Sequence, residues 1–281
     1  METGFMDLIQ HQWDNGRFLC VGLDSDYEKI PKAAKNESVV DSLVRFNRRI
    51  IEATAEYCCA FKPNTAFYEG YGLDGIKALI ETNRFIRENY PEIPVILDAK
   101  RADIGNTNFG YVKAVKEIFQ AHAITVHPYL GGEALKPFLD QKDLGVIVLC
   151  HTSNPGAGEF QELRPNEEEK ELYQIVAEKV AGEWNENGNC ALVLGATYPE
   201  QLAEVRAIVP DIPFLIPGVG AQGGDLIQTV KNGITRKGDG IIINASRSIL
   251  YASNGEDFAE AARNEAKKMD QEIRAAIESL K

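Results

Sequence analysis

With 42 acidic against 30 basic residues, this 281-residue chain carries a formal net charge of −12. That balance argues against nucleic acid as a partner, because neutralising a phosphate backbone needs a basic face, and it means that any anionic ligand must be met by a local cationic pocket. Hydrophobic residues make up 44% of the chain, yet its longest apolar runs, such as GIIIN at 240–244, are far too short to cross a bilayer, so a globular protein without membrane spans is expected.

The chain opens on METGFMDLIQHQW, with no basic segment leading into an apolar core and cleavage site, and a cytoplasmic location is the default expectation. The length fits one (β/α)8 barrel, typically about 250 residues, or two ordinary domains. No linker-like or low-complexity run divides the sequence, which favours one domain over residues 1–281. The five cysteines include no CxxC pair. Cys20, Cys150 and Cys190 fall in apolar strand-like runs and Cys58 and Cys59 at the expected end of a helix, so buried reduced thiols are expected.

Residues 5–13 (FMDLIQHQW) read as a short amphipathic helix, followed by a strand over 17–23 that ends at Asp24. One unit then repeats: helix 38–58 and a strand into Lys62, helix 73–90 and a strand into Asp98 and Lys100, helix 108–120 and a strand into His127. It continues with helix 132–140, strand 146–150 into Thr152 and Ser153, helix 167–187, and strand 191–195 into Thr197. Strand 213–216 enters PGVGAQGG, helix 225–232 leads to strand 240–244, and a last helix covers 256–279. Apolar runs alternating with helical periodicity indicate a parallel sheet, and eight such units predict an α/β fold of the (β/α)8 barrel type, preceded by one short helix. In such a barrel Asp24, Lys62, Asp98, Lys100, Ser153, Pro217–Gly224 and Arg247, all placed after the carboxyl ends of strands, converge on one mouth.

The densest stretch is VILDAKRADIGNT at 95–107. In an extended chain residues two apart share a face, so Asp98 and Lys100 project together and Asp103 follows on the loop. The sequence Gly218-Val-Gly-Ala-Gln-Gly223 matches GxGxxG, but a dinucleotide fingerprint belongs in a leading βαβ unit with an acidic residue ending the next strand, and here it follows the seventh strand. The same glycines suit a phosphate held after strands seven and eight, with Arg247 supplying paired donors. There is no HExxH, Walker loop or GxSxG, His127 reads as a framework residue, and no metal site is indicated. Carboxylates beside Lys100 favour its ammonium form, which suits a proton donor and opposes a Schiff-base nucleophile.

In CVGLD, FKPN, LDAKRADIGNT, HTSNPGAGEFQ, PGVGAQGG and NASRSI, taken in this order along the barrel, the chain resembles the orotidine 5′-phosphate decarboxylase family, in its longer subfamily. The resemblance implies conversion of orotidine 5′-phosphate to uridine 5′-phosphate (UMP) and carbon dioxide, without cofactor or metal, by a homodimer with shared sites. It implies that Asp24 binds the ribose hydroxyls and that Lys62 bridges the ribose and the charged array. Asp98, Lys100 and Asp103 would form that array, with Asp103, Ile104 and Thr107 donated across the dimer interface. Ser153 would read the pyrimidine edge, and Pro217, Gln222, Gly223, Gly224, Ser246 and Arg247 would surround base and phosphate. Ser246 stands where shorter members have glycine. The nearest other reading is a magnesium-dependent keto-sugar phosphate decarboxylase or hexulose phosphate synthase, which shares DxKxxD but is expected to carry an acidic residue at the position of Lys62. A nucleotide-binding barrel without activity is the alternative from another class.

Overall fold

Parallel strands β1 (Leu19–Gly22), β2 (Cys58–Lys62), β3 (Ile96–Arg101), β4 (Ala123–Val126), β5 (Gly145–His151), β6 (Cys190–Leu194), β7 (Phe214–Pro217) and β8 (Ile241–Ala245) form one eight-stranded sheet among the described residues. The structure is a computed structural model that describes residues 3–165, 170–219 and 224–280. Ladder bonds run in the order β2-β1-β8-β7-β6-β5-β4-β3. Two isolated parallel bridges, Phe61 with Val95 and Asn64 with Asp98, bring β2 to β3 and nearly close the barrel. That seam is sparse for a chemical reason: Pro63 and Pro94 have no N–H and serve only as acceptors, from Asp98 N at 2.9 Å and Phe61 N at 3.0 Å. The strands are buried on both faces, which is why they read as apolar runs rather than alternating ones.

The helices between them are α1 (Phe5–Asp14), α2 (Val39–Thr54), α3 (Ala66–Glu69), α4 (Gly72–Asn89), α5 (Gly105–Lys113), α6 (Gly131–Leu139), α7 (Gly158–Gln161), α8 (Leu172–Lys179), α9 (Pro199–Ile208), α10 (Leu226–Gly233), α11 (Arg247–Leu250) and α12 (Phe258–Glu278). Helix α1 covers the amino ends of the strands with Phe5, Leu8, Ile9 and Trp13, a helical stripe. Its Trp13 Nε1 donates to Ile241 O at 2.8 Å, and Phe5 packs so closely on Gly145 that a Cβ there would lie 2.3 Å from the ring. Helix α2 starts at Ser38, whose side chain accepts from Asp41 N at 3.0 Å. No helix among the described residues is long and apolar enough to cross a membrane.

Three local expectations are corrected. Helix 38–58 ends at Thr54; after a 3-10 turn, Cys58 and Cys59 begin β2 rather than ending a helix, and both are fully buried. All five cysteines are free and buried. The expected helix 167–187 is α8 followed by a π-helical turn at Val180–Trp184. Helix α9 is a connection the sequence reading did not contain, because PEQLAEVRAI buries only Leu202 and Val205 and so shows a thin apolar stripe.

His122, just before β4, makes the fold sensitive to acid. Its Nδ1 accepts from Val95 N at 3.0 Å, and the Arg87 guanidinium lies 2.6 Å from Nε2. Burial, and then the Arg87 charge, push the imidazole from 6.5 down to about 4. The unfolded chain therefore binds the proton more tightly. Stability from neutral His122 is fully present above pH 6.5 and is lost as pH falls toward about 4, by at most about 3 kcal/mol. In His122→Asn the amide oxygen can still accept from Val95 N but does not titrate. Its thermal midpoint should fall less than that of the parent between pH 7 and pH 4.5; equal falls would remove His122 from the account.

Candidate active site

The carboxyl ends of the strands enclose a cavity of about 460 Å³. Of the residues expected there, Asp24, Lys62, Asp98, Lys100, Ser153, Pro217, Ser246 and Arg247 line it together. Its floor is apolar, with Leu149, Val193 and Leu215 beside the charged wall.

Asp98 is the centre of that wall. Its Oδ1 lies 2.6 Å from Lys100 Nζ and its Oδ2 lies 3.1 Å from Lys62 Nζ. Thr125 Oγ1 donates to Oδ1 at 2.9 Å, and Asn64 Nδ2 lies 3.4 Å from Oδ2. Burial would raise the Asp98 carboxyl, but Lys62 and Lys100 outweigh it and hold the group well below the usual carboxylate range. Burial likewise opposes the charge on Lys62, yet the carboxylates of Asp98 and Asp24 keep its ammonium above the usual lysine value. The balance in both groups favours the ionised pair.

Lys100 is not in an extended conformation. Its φ is +47°, in the left-handed region, and the β3–β4 register shifts between Leu97 and Arg101. The expected meeting of Asp98 and Lys100 is present, but an irregularity in the strand delivers it, where two-residue alternation was the reason given. Such irregularities re-aim side chains at the rims of barrels.

Asp24 also lines the cavity, and its Oδ1 is buried without a hydrogen-bond partner among the described residues. Tyr251 holds the loop by donating to Asp24 O at 3.1 Å and accepting from Asp26 N at 2.9 Å. Arg247 opens α11, and among the described residues its side chain has no hydrogen bond or ion pair. Ser246 sits directly over Gly22, where a Cβ would lie 1.9 Å from the Ser246 hydroxyl oxygen, so the glycine of CVGLD makes room for the Ser246-Arg247 turn. Gly218, at φ +101°, lines the cavity and accepts from Gly224 N at 3.2 Å, whereas Gly224 itself does not reach the lining. Gln222 and Gly223 lie outside the described residues.

The β5 loop brings Ser153 against Gly195, where a Cβ would meet the Ser153 Cα at 2.6 Å. Gln161 ties the loop back on itself, accepting from Thr152 N at 2.8 Å and donating to Thr152 Oγ1 at 2.9 Å. His151, buried between the rings of Tyr173 and Tyr198, pairs with Glu162 at 3.0 Å.

Asp103, Ile104 and Thr107 are not brought to this cavity. Asp103 Oδ1 accepts from Ile104 N at 2.6 Å, and its backbone is held by Asn108 at 2.8 and 2.6 Å. Among the described residues it forms no ion pair with Lys100. Ile104 is 64% exposed, and Thr107 is exposed as well.

Asn64, Thr125, Gln161 and Asn244 line the cavity and were not singled out from sequence. Thr125 had a usable signal, being the one hydroxyl in the otherwise apolar strand AITV. His127 is a framework residue as expected, with Nε2 3.2 Å from Ala102 O. Among the described residues no group of three or more His, Cys, Asp and Glu side chains is placed to hold a metal.

A parallel barrel with a lysine–aspartate array in the wall of its mouth, and with an Arg247 side chain that is unpaired among the described residues, is arranged for a small anionic ligand. The chain belongs to the orotidine 5′-phosphate decarboxylase / HUMPS family, whose model matches residues 17–262. Proteins named orotidine 5′-phosphate decarboxylase are similar over nearly the whole chain. That of Cellvibrio japonicus is 46% identical over 273 residues, 97% of this chain and 98% of that protein. That of Thermomicrobium roseum is 49% identical over 268 residues, 95% and 92% of the two chains. Among solved structures, the OMP decarboxylase of Leishmania donovani superposes with a TM-score of 0.85 at 39% identity, covering 98% of this chain and 99% of that one. The UMP synthase of the same organism gives 0.86 at 41% identity over 98% of this chain, which spans 56% of that longer protein.

Proposed function

We propose that this chain is an orotidine 5′-phosphate decarboxylase that releases carbon dioxide from its substrate to give UMP. The observation that carries the reading is the Lys62–Asp98–Lys100 array, with both Asp98 oxygens engaged by ammonium groups. Cleaving the bond from the ring carbon to the carboxylate leaves an electron pair on a vinylic carbon with no adjacent carbonyl to spread it. The demand is near the upper end of enzymatic acceleration, about 10¹⁷-fold or roughly 23 kcal/mol. A fixed ammonium answers it twice: Lys100 stabilises the developing carbanion and then transfers a proton from Nζ to that carbon. Asp98 aims the ammonium, and Lys62 keeps Asp98 ionised.

In this reading Asp24 takes the ribose hydroxyls, Ser153 the pyrimidine edge, and Arg247, with Ser246 and the stretch of sequence from Pro217 to Gly224, Gln222 and Gly223 included, the phosphate. The enzyme is a homodimer in which Asp103, Ile104 and Thr107 of each chain complete the site of the other. The exposure of Ile104, Phe109 and Tyr129 on neighbouring segments supports such an interface. No metal takes part, since ammonium groups hold the position beside Asp98 that a cation would need.

Turnover of orotidine 5′-phosphate should be robust and should survive exhaustive chelation. Activity lost to chelator and restored by magnesium would transfer the chain to the keto-sugar phosphate group.

A further inference from the structure

Thr125 is 1% exposed and lies in the wall of the cavity, on a strand whose other members are Ala123, Ile124 and Val126. Its hydroxyl makes two contacts of equal length. Lys100 N–H donates to Oγ1 at 2.9 Å, and Oγ1 donates to Asp98 Oδ1 at 2.9 Å. A hydroxyl has one hydrogen and two lone pairs, so it can do both at once; a valine of the same shape can do neither.

The two contacts fall where the strand is under conformational demand. Left-handed backbone is unfavourable for a residue with a Cβ and persists when the surroundings over-determine it. At Lys100 the regular β3–β4 pairing is interrupted, and the amide is received by a side chain of the neighbouring strand. The same oxygen also fixes the carboxylate oxygen that Lys100 Nζ meets at 2.6 Å. Backbone and ammonium of Lys100 are thus referred to one point on β4.

We propose that Thr125 is a positioning residue for the proton transfer, its hydroxyl clamping the Lys100 backbone and the Asp98 carboxylate so that the ammonium is held on the reacting carbon. The inference rests on the decarboxylase reading for its kinetic readout. It acts through Lys100 and Asp98 and makes no hydrogen bond to Ser246 or Arg247, so it should appear in kcat and leave substrate affinity nearly untouched. Small misplacements of a reacting group cost on the order of 100-fold.

The test compares steady-state decarboxylation of orotidine 5′-phosphate by the parent, Thr125→Val and Thr125→Ser, with UMP affinity, thermal midpoint and amide hydrogen exchange at Lys100 measured on each. Thr125→Val should lose about 100-fold in kcat. Its KM and UMP affinity should stay close to the parent values, and its Lys100 amide should exchange faster. Thr125→Ser should restore both kcat and amide protection. The proposal is overturned if Thr125→Val keeps the parental kcat, if the serine variant is as slow as the valine variant, or if the loss lies in KM alone. Should the valine variant fold poorly, Thr125→Ala carries the same comparison. A parent that does not turn over orotidine 5′-phosphate would sink the decarboxylase reading instead. The Lys100 amide would then still decide the clamp, since equal exchange in all variants removes it.

Discussion

Lys100→Ala is expected to lose about 10⁴-fold or more in turnover while still binding UMP, because in the proposed mechanism one side chain supplies both the electrostatic stabilisation and the proton. The remainder of the site does not depend on it. Asp98 keeps Lys62 at 3.1 Å and the Thr125 hydroxyl at 2.9 Å, so the carboxylate is not left without partners. The proposed phosphate end, around Arg247 and Ser246, follows β8 and opens α11 and is untouched. Stability should change little as well. The Lys100 side chain is 49% exposed, and alanine carries the same Cβ penalty at φ +47° that lysine does. The measurement is a single-turnover assay beside a UMP titration. Turnover near the parental value would mean that another group, or water, protonates the carbanion, and loss of UMP binding would mean that Lys100 serves the architecture rather than the chemistry.

What could be read from the sequence follows the physics of parallel sheets. Strands buried on both faces are written as apolar runs, so charges at their ends stand out: Asp24, Lys62, Asp98, Ser153 and Arg247 were legible because each interrupts or follows such a run. The barrel was legible for the same reason. Helix α9 was not, since its burial rests on Leu202 and Val205 alone. Nor was the start of β2, because a 3-10 turn continues the helical spacing up to Cys58 and only the sheet registry separates the two. The left-handed Lys100 is a tertiary fact. Nothing in DAKRAD announces a positive φ at a lysine, and its support, Thr125, lies 25 residues away on another strand. Polar side chains that meet across strands, such as Asn64 on Asp98, leave a weak trace in a single sequence because each looks like an ordinary loop or strand residue.

Mixing two inactive proteins, Lys100→Ala and Asp103→Ala, should restore activity. Asp103 follows Asp98 by five positions, yet its carboxylate is turned to the Ile104 amide and away from the cavity, on a segment whose Ile104 and Phe109 are 64% and 59% exposed. A carboxylate that does not meet Lys100 of its own chain, on an apolar exposed segment, is suited to meet Lys100 of a second copy across a two-fold axis. In a mixed dimer one site combines both substitutions, and the other combines an intact Lys100 with an intact Asp103. With random exchange about half of the dimers are mixed, each with one of two sites intact, so about a quarter of parental activity should return. Subunit exchange is verified separately, by tagging the two chains and recovering the mixed dimer. If that dimer forms and activity stays at the level of the separate variants, Asp103 serves its own chain and the shared site is wrong. Recovery to about a quarter would also explain why Asp103, Ile104 and Thr107 stand apart from a cavity that otherwise gathers the predicted residues.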